Sequence, residues 1–106
     1  MMVTRLDRPT ILYVEDDDDT RPGMRRFLNR HGYHVIISLS EEDALERGSQ
    51  KRVNADLILI DLGLHSEEVL AAAHRIRAHA LGRADIPAVM IGYKYGSEME
   101  ARTLRK

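Results

Sequence analysis

Cysteine and tryptophan are both absent from this 106-residue chain, and phenylalanine occurs only once. The lack of cysteine excludes disulfide bonds and cysteine-ligated metal sites, and it is compatible with a reducing compartment. No apolar run approaches the roughly 20 residues that a membrane-spanning helix needs. Residues 1–9 also lack the apolar segment of a signal peptide. We therefore expect a cytoplasmic protein that does not associate with a membrane.

The chain also lacks an excess of charge of either sign. Its 16 basic and 17 acidic side chains give a formal net charge of −1. A dedicated nucleic-acid-binding domain is normally clearly basic, so we expect no direct contact with nucleic acid. Hydrophobic residues make up 43 % of the chain, which is enough for one small core. We expect a single domain over residues 1–106.

Short apolar runs alternate with helical patterns along the sequence. Each run is rich in Ile, Val and Leu and shows little alternation, which is typical of parallel strands that are covered on both faces. This β-α alternation predicts an α/β fold, a parallel sheet with helices on both faces. The four predicted strands are Ile11–Val14, Val35–Leu39, Leu57–Ile60 and Ala88–Ile91.

Glycine and serine residues mark the ends of the predicted helices. The first helix ends at Gly32, and the second begins at a Ser40 cap and ends at Gly48. The third ends near Gly82, and a last helix with a thin apolar face is predicted for Ser97–Leu104. The apolar faces of the first and third helices comprise Met24, Phe27, Leu28 and His31, and Val69, Ala73, Ile76 and Ala80, respectively.

Two of the predicted strands end in acidic residues, the first in Glu15 and Asp16 and the third in Asp61. The carboxyl ends of neighbouring parallel strands meet at one edge of the sheet, so these three carboxylates are expected to converge. Two carboxylates about 4 Å apart repel each other by roughly 4 kcal/mol. A hard cation such as Mg²⁺, which prefers oxygen ligands, would relieve this repulsion. Asp18 and Asp19 are better explained as acids that favour a helix start, and Asp17 is left open.

The segments ILYVEDDDD, RRFLNRHGYHV, ADLILIDLGL and IPAVMIG occur in an order that resembles the receiver domain of bacterial two-component response regulators. The resemblance runs from Thr10 to about Gly96. It implies a flavodoxin-like fold with strand order 2-1-3-4-5. It also implies that Asp61 accepts a phosphoryl group from a histidine kinase or phosphotransfer protein.

The same resemblance implies a magnesium site. Glu15 and Asp16 correspond to the acidic pair that holds Mg²⁺, and Asp61 and the backbone carbonyl of Gly63 would complete the protein ligands. No other catalytic residue is implied.

The sequence departs from the family pattern in three places. Gly92 stands where the family has a threonine or serine, and His65 replaces a proline beside the expected pocket. The sequence to Lys106 has no counterpart of the fifth strand, its terminal lysine or the fifth helix. We therefore expect a domain that is incomplete at its C-terminus, with strand order 2-1-3-4. The fourth strand would then be an exposed edge through which a homodimer could form.

Three functions are compatible with these residues. The first is a phosphoryl-accepting signalling domain that is not an enzyme. The second is a pseudo-receiver, in which the fold is an interaction module independent of phosphorylation. The third and weakest is a small phosphatase similar to haloacid dehalogenases, because Asp16, Asp18 and Thr20 match the D-x-D-x-T pattern by position.

Overall fold

A computed structural model describes residues 8–50, 53–81, 85–93 and 99–105 of the chain. None of the helices in these ranges is long and apolar enough to cross a membrane. The described residues contain three helices and five strands, and a π-helical turn at Arg77–Leu81 continues the third helix. The elements are β1 (Thr10–Glu15), α1 (Arg21–Arg30), β2 (His34–Ser38), α2 (Glu41–Gln50), β3 (Leu57–His65), α3 (Ser66–Ile76), β4 (Ala88–Tyr93) and β5 (Met99–Leu104).

The strands form one sheet with the order β2-β1-β3-β4-β5. The first four strands are parallel to one another. The predicted α/β fold and the order 2-1-3-4 are therefore confirmed. Their physical basis is the burial of both faces of β1 and the central strands, which requires helices on each side of the sheet.

The C-terminal segment differs from the sequence-based expectation. The predicted last helix is wrong, because Met99–Leu104 forms β5 and pairs antiparallel with β4. The sheet thus has the fifth strand that was expected to be missing, and the predicted homodimer has no open β4 edge to use. As a strand, the segment gains backbone pairing over the whole of β4, and Leu104 packs against the core. Ser97, the predicted cap, lies outside the described residues.

The larger core lies between the sheet and the helices α2 and α3. The predicted apolar stripe of α3 and the following turn is fully buried there, with Val69, Ala73, Ile76 and Ala80 each at most 1 % exposed. Gly48 does not end α2 as predicted. It lies inside the helix, where a Cβ atom would be 2.8 Å from the carbonyl oxygen of Ala80. Glycine is needed there because α2 and the π-helical turn are in backbone contact.

A smaller core covers the opposite face of the sheet, where α1 packs against β1 and β2. Its buried members are Ile11, Tyr13, Leu28 and Val35. Of the predicted face of α1, Leu28 is buried, whereas Phe27 is 53 % exposed. Gly32 follows the helix with a φ of 91°, in the left-handed region that favours glycine, which confirms the predicted end of this helix.

The start of α2 is capped as the sequence predicts. The Ser40 hydroxyl oxygen accepts a hydrogen bond of 3.0 Å from the backbone N–H of Asp43. In return, the Asp43 carboxylate accepts a 3.0 Å bond from the backbone N–H of Leu39. The guanidinium of Arg75 then joins α3 to α2 through two bonds to the carboxylate of Glu41. These contacts fix the helices that support the carboxyl edge of the sheet.

Candidate functional site

Two of the predicted site residues lie side by side at the carboxyl edge of the sheet. Glu15 is the last residue of β1, and its Cα partner in β3 is Asp61. Asp16 follows directly and is exposed. The parallel pairing therefore brings the two strand-end acids together, as the alternating pattern predicted.

The Glu15 side chain is almost completely buried and is only 2 % exposed. Its Oε1 atom accepts a hydrogen bond of 3.0 Å from the Tyr13 hydroxyl, and its Oε2 atom accepts one of 3.2 Å from the backbone N–H of Asp17. The guanidinium of Arg21 donates a 2.8 Å bond to the backbone carbonyl of Glu15. Burial is the main cause that raises the pKa of Glu15 to about 7, and the negative charge of Asp61 raises it further.

Asp61 is half-buried and is held by two neighbours. Burial is also the main cause that raises the pKa of Asp61, and the nearby charge of Asp16 adds to this effect. Interactions with the Glu15 carboxyl group and with the backbone N–H of Gly63 oppose the rise in the pKa of Asp61. Glu15 and Asp61 thus form an acid pair of neighbouring residues, in which the negative charge of Asp61 opposes the ionisation of Glu15.

The aspartates after β1 form a turn that leads into α1. The Asp17 carboxylate accepts a 2.9 Å bond from the backbone N–H of Asp19 and a 3.0 Å bond from the Thr20 hydroxyl. These bonds, the first above all, lower the pKa of Asp17. Asp18 makes an ion pair with Arg21. None of the aspartates lies in the first turn of α1. The acids therefore precede the helix: Asp17 stabilises the turn with its hydrogen bonds, and Asp18 pairs with Arg21.

The chain beyond Asp61 remains a strand instead of leaving the sheet. After a register shift between Asp61 and His65, β3 pairs with β4 again at Tyr93. Gly63 lies within this irregular stretch with a φ of 66°, which places it in the left-handed region. His65 is exposed at the end of the strand and precedes the first residue of α3. Its predicted contribution to the pocket stays a prediction, as does the role of the Gly63 carbonyl.

Gly92 is buried at the carboxyl end of β4, beside the start of α3. A Cβ atom at this position would lie 3.0 Å from the Cα atom and 3.2 Å from the backbone nitrogen of Ser66. It would also lie 3.0 Å from Cγ1 of Val69. The absence of a hydroxyl at position 92 therefore accompanies an absence of space, because α3 occupies the volume that a side chain would need.

The chemistry of this donor set suits a hard cation. Within the described residues, no group of three or more acidic or histidine side chains is arranged to hold a metal ion. Mg²⁺ usually retains several water molecules and needs only one or two carboxylates. The acid pair of Glu15 and Asp61, with Asp16 next to it, supplies those carboxylates. Because burial raises the pKa of both paired acids, a bound cation would relieve the cost of charging them.

Tyr13 and Arg21 were not singled out as site residues by the sequence analysis, although both bind Glu15 directly. Tyr13 lies two residues before Glu15 in a strand, so the two side chains share one face of the sheet. That spacing was visible in the sequence and could have identified Tyr13. The contact of Arg21 depends on the turn formed by Asp17, which no simple periodicity indicates.

An acid-lined carboxyl edge on an α/β sheet of this order defines a receiver-like domain. The sequence matches the family described as the response regulator receiver domain over residues 11–106. The chain therefore belongs to the response regulator receiver domain family, and its flavodoxin-like topology agrees with this membership.

Two individual proteins are also similar to part of this chain. The chain is 35 % identical over 69 residues to a cyclic di-GMP phosphodiesterase of Thermotoga maritima, which covers 65 % of this chain and 18 % of that protein. The chain is also 35 % identical over 69 residues to the transcriptional regulatory protein AfsQ1 of Streptomyces coelicolor. This match covers 65 % of this chain and 30 % of that protein. The match thus spans less than a third of either relative.

A solved structure is also similar to this chain. It is a fusion protein that contains the trimeric coiled coil of yeast Spc42, and the TM-score is 0.56 at 30 % sequence identity. The similarity covers 77 % of this chain and 50 % of that one.

Proposed function

We propose that this domain accepts a phosphoryl group on Asp61, with Mg²⁺ bound at the same edge of the sheet, and thereby transmits a two-component signal. The observation that carries the proposal is the acid pair, in which the half-buried Asp61 lies directly beside the buried Glu15. Glu15, Asp16 and Asp61 would hold the metal, together with the backbone carbonyl of Gly63. The donor would be a histidine kinase or a phosphotransfer protein in the cytoplasm.

The reaction is a displacement at phosphorus. An oxygen of the Asp61 carboxylate forms a new O–P bond while the P–N bond of a phosphohistidine donor breaks, and the electron pair leaves with the imidazole nitrogen. Bound Mg²⁺ would supply neutralisation of the charge on the phosphoryl oxygens. The product is an acyl phosphate on the domain itself, so we propose a stoichiometric acceptor and not an enzyme.

Asp61 must be ionised before it can act as a nucleophile. Glu15 and Asp61 are both harder to ionise than ordinary carboxylic acids, because burial raises the pKa of each. The interaction with the Gly63 N–H favours the charged form of Asp61 in part. Because burial disfavours the charged form of Asp61, the reaction should become faster as the pH rises.

A specific observation favours the second candidate function, a pseudo-receiver. No hydroxyl is available from position 92, and Ser66 leaves no space for a larger residue there. In that case Asp61 would stay unmodified, and the domain would act through binding alone.

In either case, we propose that a cleft beside α1 is the surface that binds the partner protein. The cleft has a volume of about 330 Å³, and the three arginines among its lining residues would favour an acidic segment of a kinase or phosphotransfer protein. Its lining residues are Arg21, Pro22, Arg25, Arg26 and Ile37.

The mass of the intact protein after incubation with acetyl phosphate and Mg²⁺ tests the proposal. We expect one phosphoryl adduct on the wild type and none on Asp61→Asn. Asp56→Asn is a matched control, because Asp56 lies just before the opposite end of β3 and is exposed. It should retain the adduct. A folded wild type that gains no adduct would support the pseudo-receiver instead.

A further inference from the structure

Tyr13 is a buried residue whose hydroxyl is directed into the acid pair. Its side chain is 1 % exposed, and its ring is held in the smaller core with Ile11, Leu28 and Val35. The hydroxyl donates a hydrogen bond of 3.0 Å to Oε1 of Glu15 in a buried environment. A phenol so confined by its ring has little freedom to turn away from its acceptor.

We propose that Tyr13 is a positioning residue that orients Glu15 for metal binding beside Asp61. This inference rests on the proposed function and adds a residue to it. The Oε1 atom of Glu15 is held by the Tyr13 hydroxyl, and the Oε2 atom is held by the backbone N–H of Asp17. With both oxygens held, the carboxylate keeps one orientation at the sheet edge, where Glu15 is paired with Asp61. Partners that orient a ligand in this way commonly change metal affinity by roughly 10–100-fold.

The length of the glutamate side chain is part of this arrangement. Tyr13 and Glu15 are two residues apart on one face of β1, a distance of about 7 Å along the strand. The extra methylene of glutamate lets its carboxylate reach the phenol. An aspartate at position 15 would place its oxygens roughly 1.5 Å closer to the backbone. Its carboxylate would then be too far from the Tyr13 hydroxyl for a hydrogen bond. Tyr13 and Glu15 should therefore act as one unit.

Tyr13→Phe tests this proposal, because phenylalanine fills the same space and removes only the hydroxyl. We expect the dissociation constant for Mg²⁺, measured by titration calorimetry, to rise about tenfold. The Mg²⁺ concentration that half-saturates phosphorylation by acetyl phosphate should rise by the same factor, whereas the rate at saturating Mg²⁺ should stay within twofold. A lower saturated rate with unchanged Mg²⁺ affinity would overturn the proposal.

Tyr33→Phe is the matched control, since it removes a hydroxyl from a residue that packs against the same small core. Its Mg²⁺ affinity should equal that of the wild type. An equal loss in both variants would mean that the effect is a general loosening of the core, and would contradict a specific role of Tyr13.

A double-mutant cycle shows whether Tyr13 acts through Glu15. Glu15→Asp alone should weaken Mg²⁺ binding, and adding Tyr13→Phe to it should cost less than a further twofold. A full tenfold loss in both backgrounds would overturn the proposal. If Tyr13→Phe fails to fold, Glu15→Asp gives the answer by itself, because an unchanged Mg²⁺ affinity in that variant contradicts the need for the contact.

The two proposals fail in different ways. If the wild type binds no Mg²⁺ and gains no adduct on Asp61, the proposed function is wrong and the positioning role is wrong with it. If the wild type does both and Tyr13→Phe behaves identically, only the positioning role is wrong.

Discussion

Gly92 at the end of β4 packs directly against Ser66 at the start of α3. A Cβ atom on Gly92 would lie 3.0 Å from the Ser66 Cα atom, closer than nearly all real contacts of that kind. Two of the three nearest atoms belong to the backbone of Ser66, which cannot rotate away as a flexible side chain could. Gly92, which lacks a hydroxyl, therefore also leaves the space that α3 needs to begin directly after β3.

Gly92→Thr, which would restore the hydroxyl expected in this family, should destabilise the domain. The added atoms meet the backbone of Ser66 and the side chain of Val69, and overpacking of this kind costs typically about 1–3 kcal/mol. Urea unfolding monitored by circular dichroism measures the effect. Gly92→Ala, with the single Cβ atom, should show the smaller loss of the two. If Gly92→Thr is as stable as the wild type, α3 does not occupy this space.

The two glycines inside helices should respond to alanine with opposite signs. Gly48→Ala should lower the free energy of unfolding by about 1–3 kcal/mol, because its Cβ atom would lie 2.9 Å from that of Ala80. Gly23→Ala should raise it by roughly 0.5–1 kcal/mol, because nothing lies within 4 Å and alanine is the better helix former. Thermal unfolding of both variants beside the wild type tests the pair. Two changes of the same sign would contradict the described contact.

The fold was predictable wherever local pattern and burial agreed. The apolar run before Glu15 and the run before Asp61 each indicated a buried parallel strand, and both strands are central in the sheet. The C-terminal segment was not predictable in this way, because its identity as a strand depends on the open edge of β4. As a helix, this segment would have only a thin apolar face to bury. As a strand, it pairs with all six residues of β4, which stabilises it more than helix packing would.

The candidate site was predictable in its acids but not in their surroundings. The convergence of Glu15 and Asp61 follows from parallel pairing, which the sequence indicates. The contact between Gly92 and Ser66 joins residues 26 positions apart and depends on where α3 begins. That starting point follows from the register shift in β3, a tertiary feature that no local sequence pattern encodes.

The assignment of β5 can be tested by exchanging alanine and threonine at exposed positions. Thr103→Ala should lower the free energy of unfolding by up to about 1 kcal/mol, because threonine is favoured in strands and alanine is not. Ala101→Thr should raise it for the same reason. Both side chains are exposed, so packing changes little. If the segment were helical, as its sequence suggested, both signs would reverse. Urea unfolding of the two variants therefore distinguishes strand from helix.

Stability without Mg²⁺ should fall as the pH rises from about 5 to about 8. Because the pKa of Glu15 is raised from 4.5 to about 7, the folded domain holds a proton that the unfolded chain releases in this range. Each unit of pH increase within this window therefore favours unfolding, and the total loss in the free energy of unfolding is on the order of 2 kcal/mol. Urea unfolding at pH 5, 6, 7 and 8 measures it.

Variants and the metal separate the contribution of Glu15 from that of other groups. Glu15→Gln should flatten most of this pH dependence, whereas Glu46→Gln, at an exposed position on α2, should leave it unchanged. Saturating Mg²⁺ should stabilise the wild type more at pH 8 than at pH 5, because the cation competes with the proton for the same carboxylates. A stability that rises from pH 5 to 8 without Mg²⁺, and is unaffected by Glu15→Gln, would mean that Glu15 is ionised in the folded domain. Burial would then not raise the pKa of Glu15, and this acid would be charged beside Asp61 even without a cation.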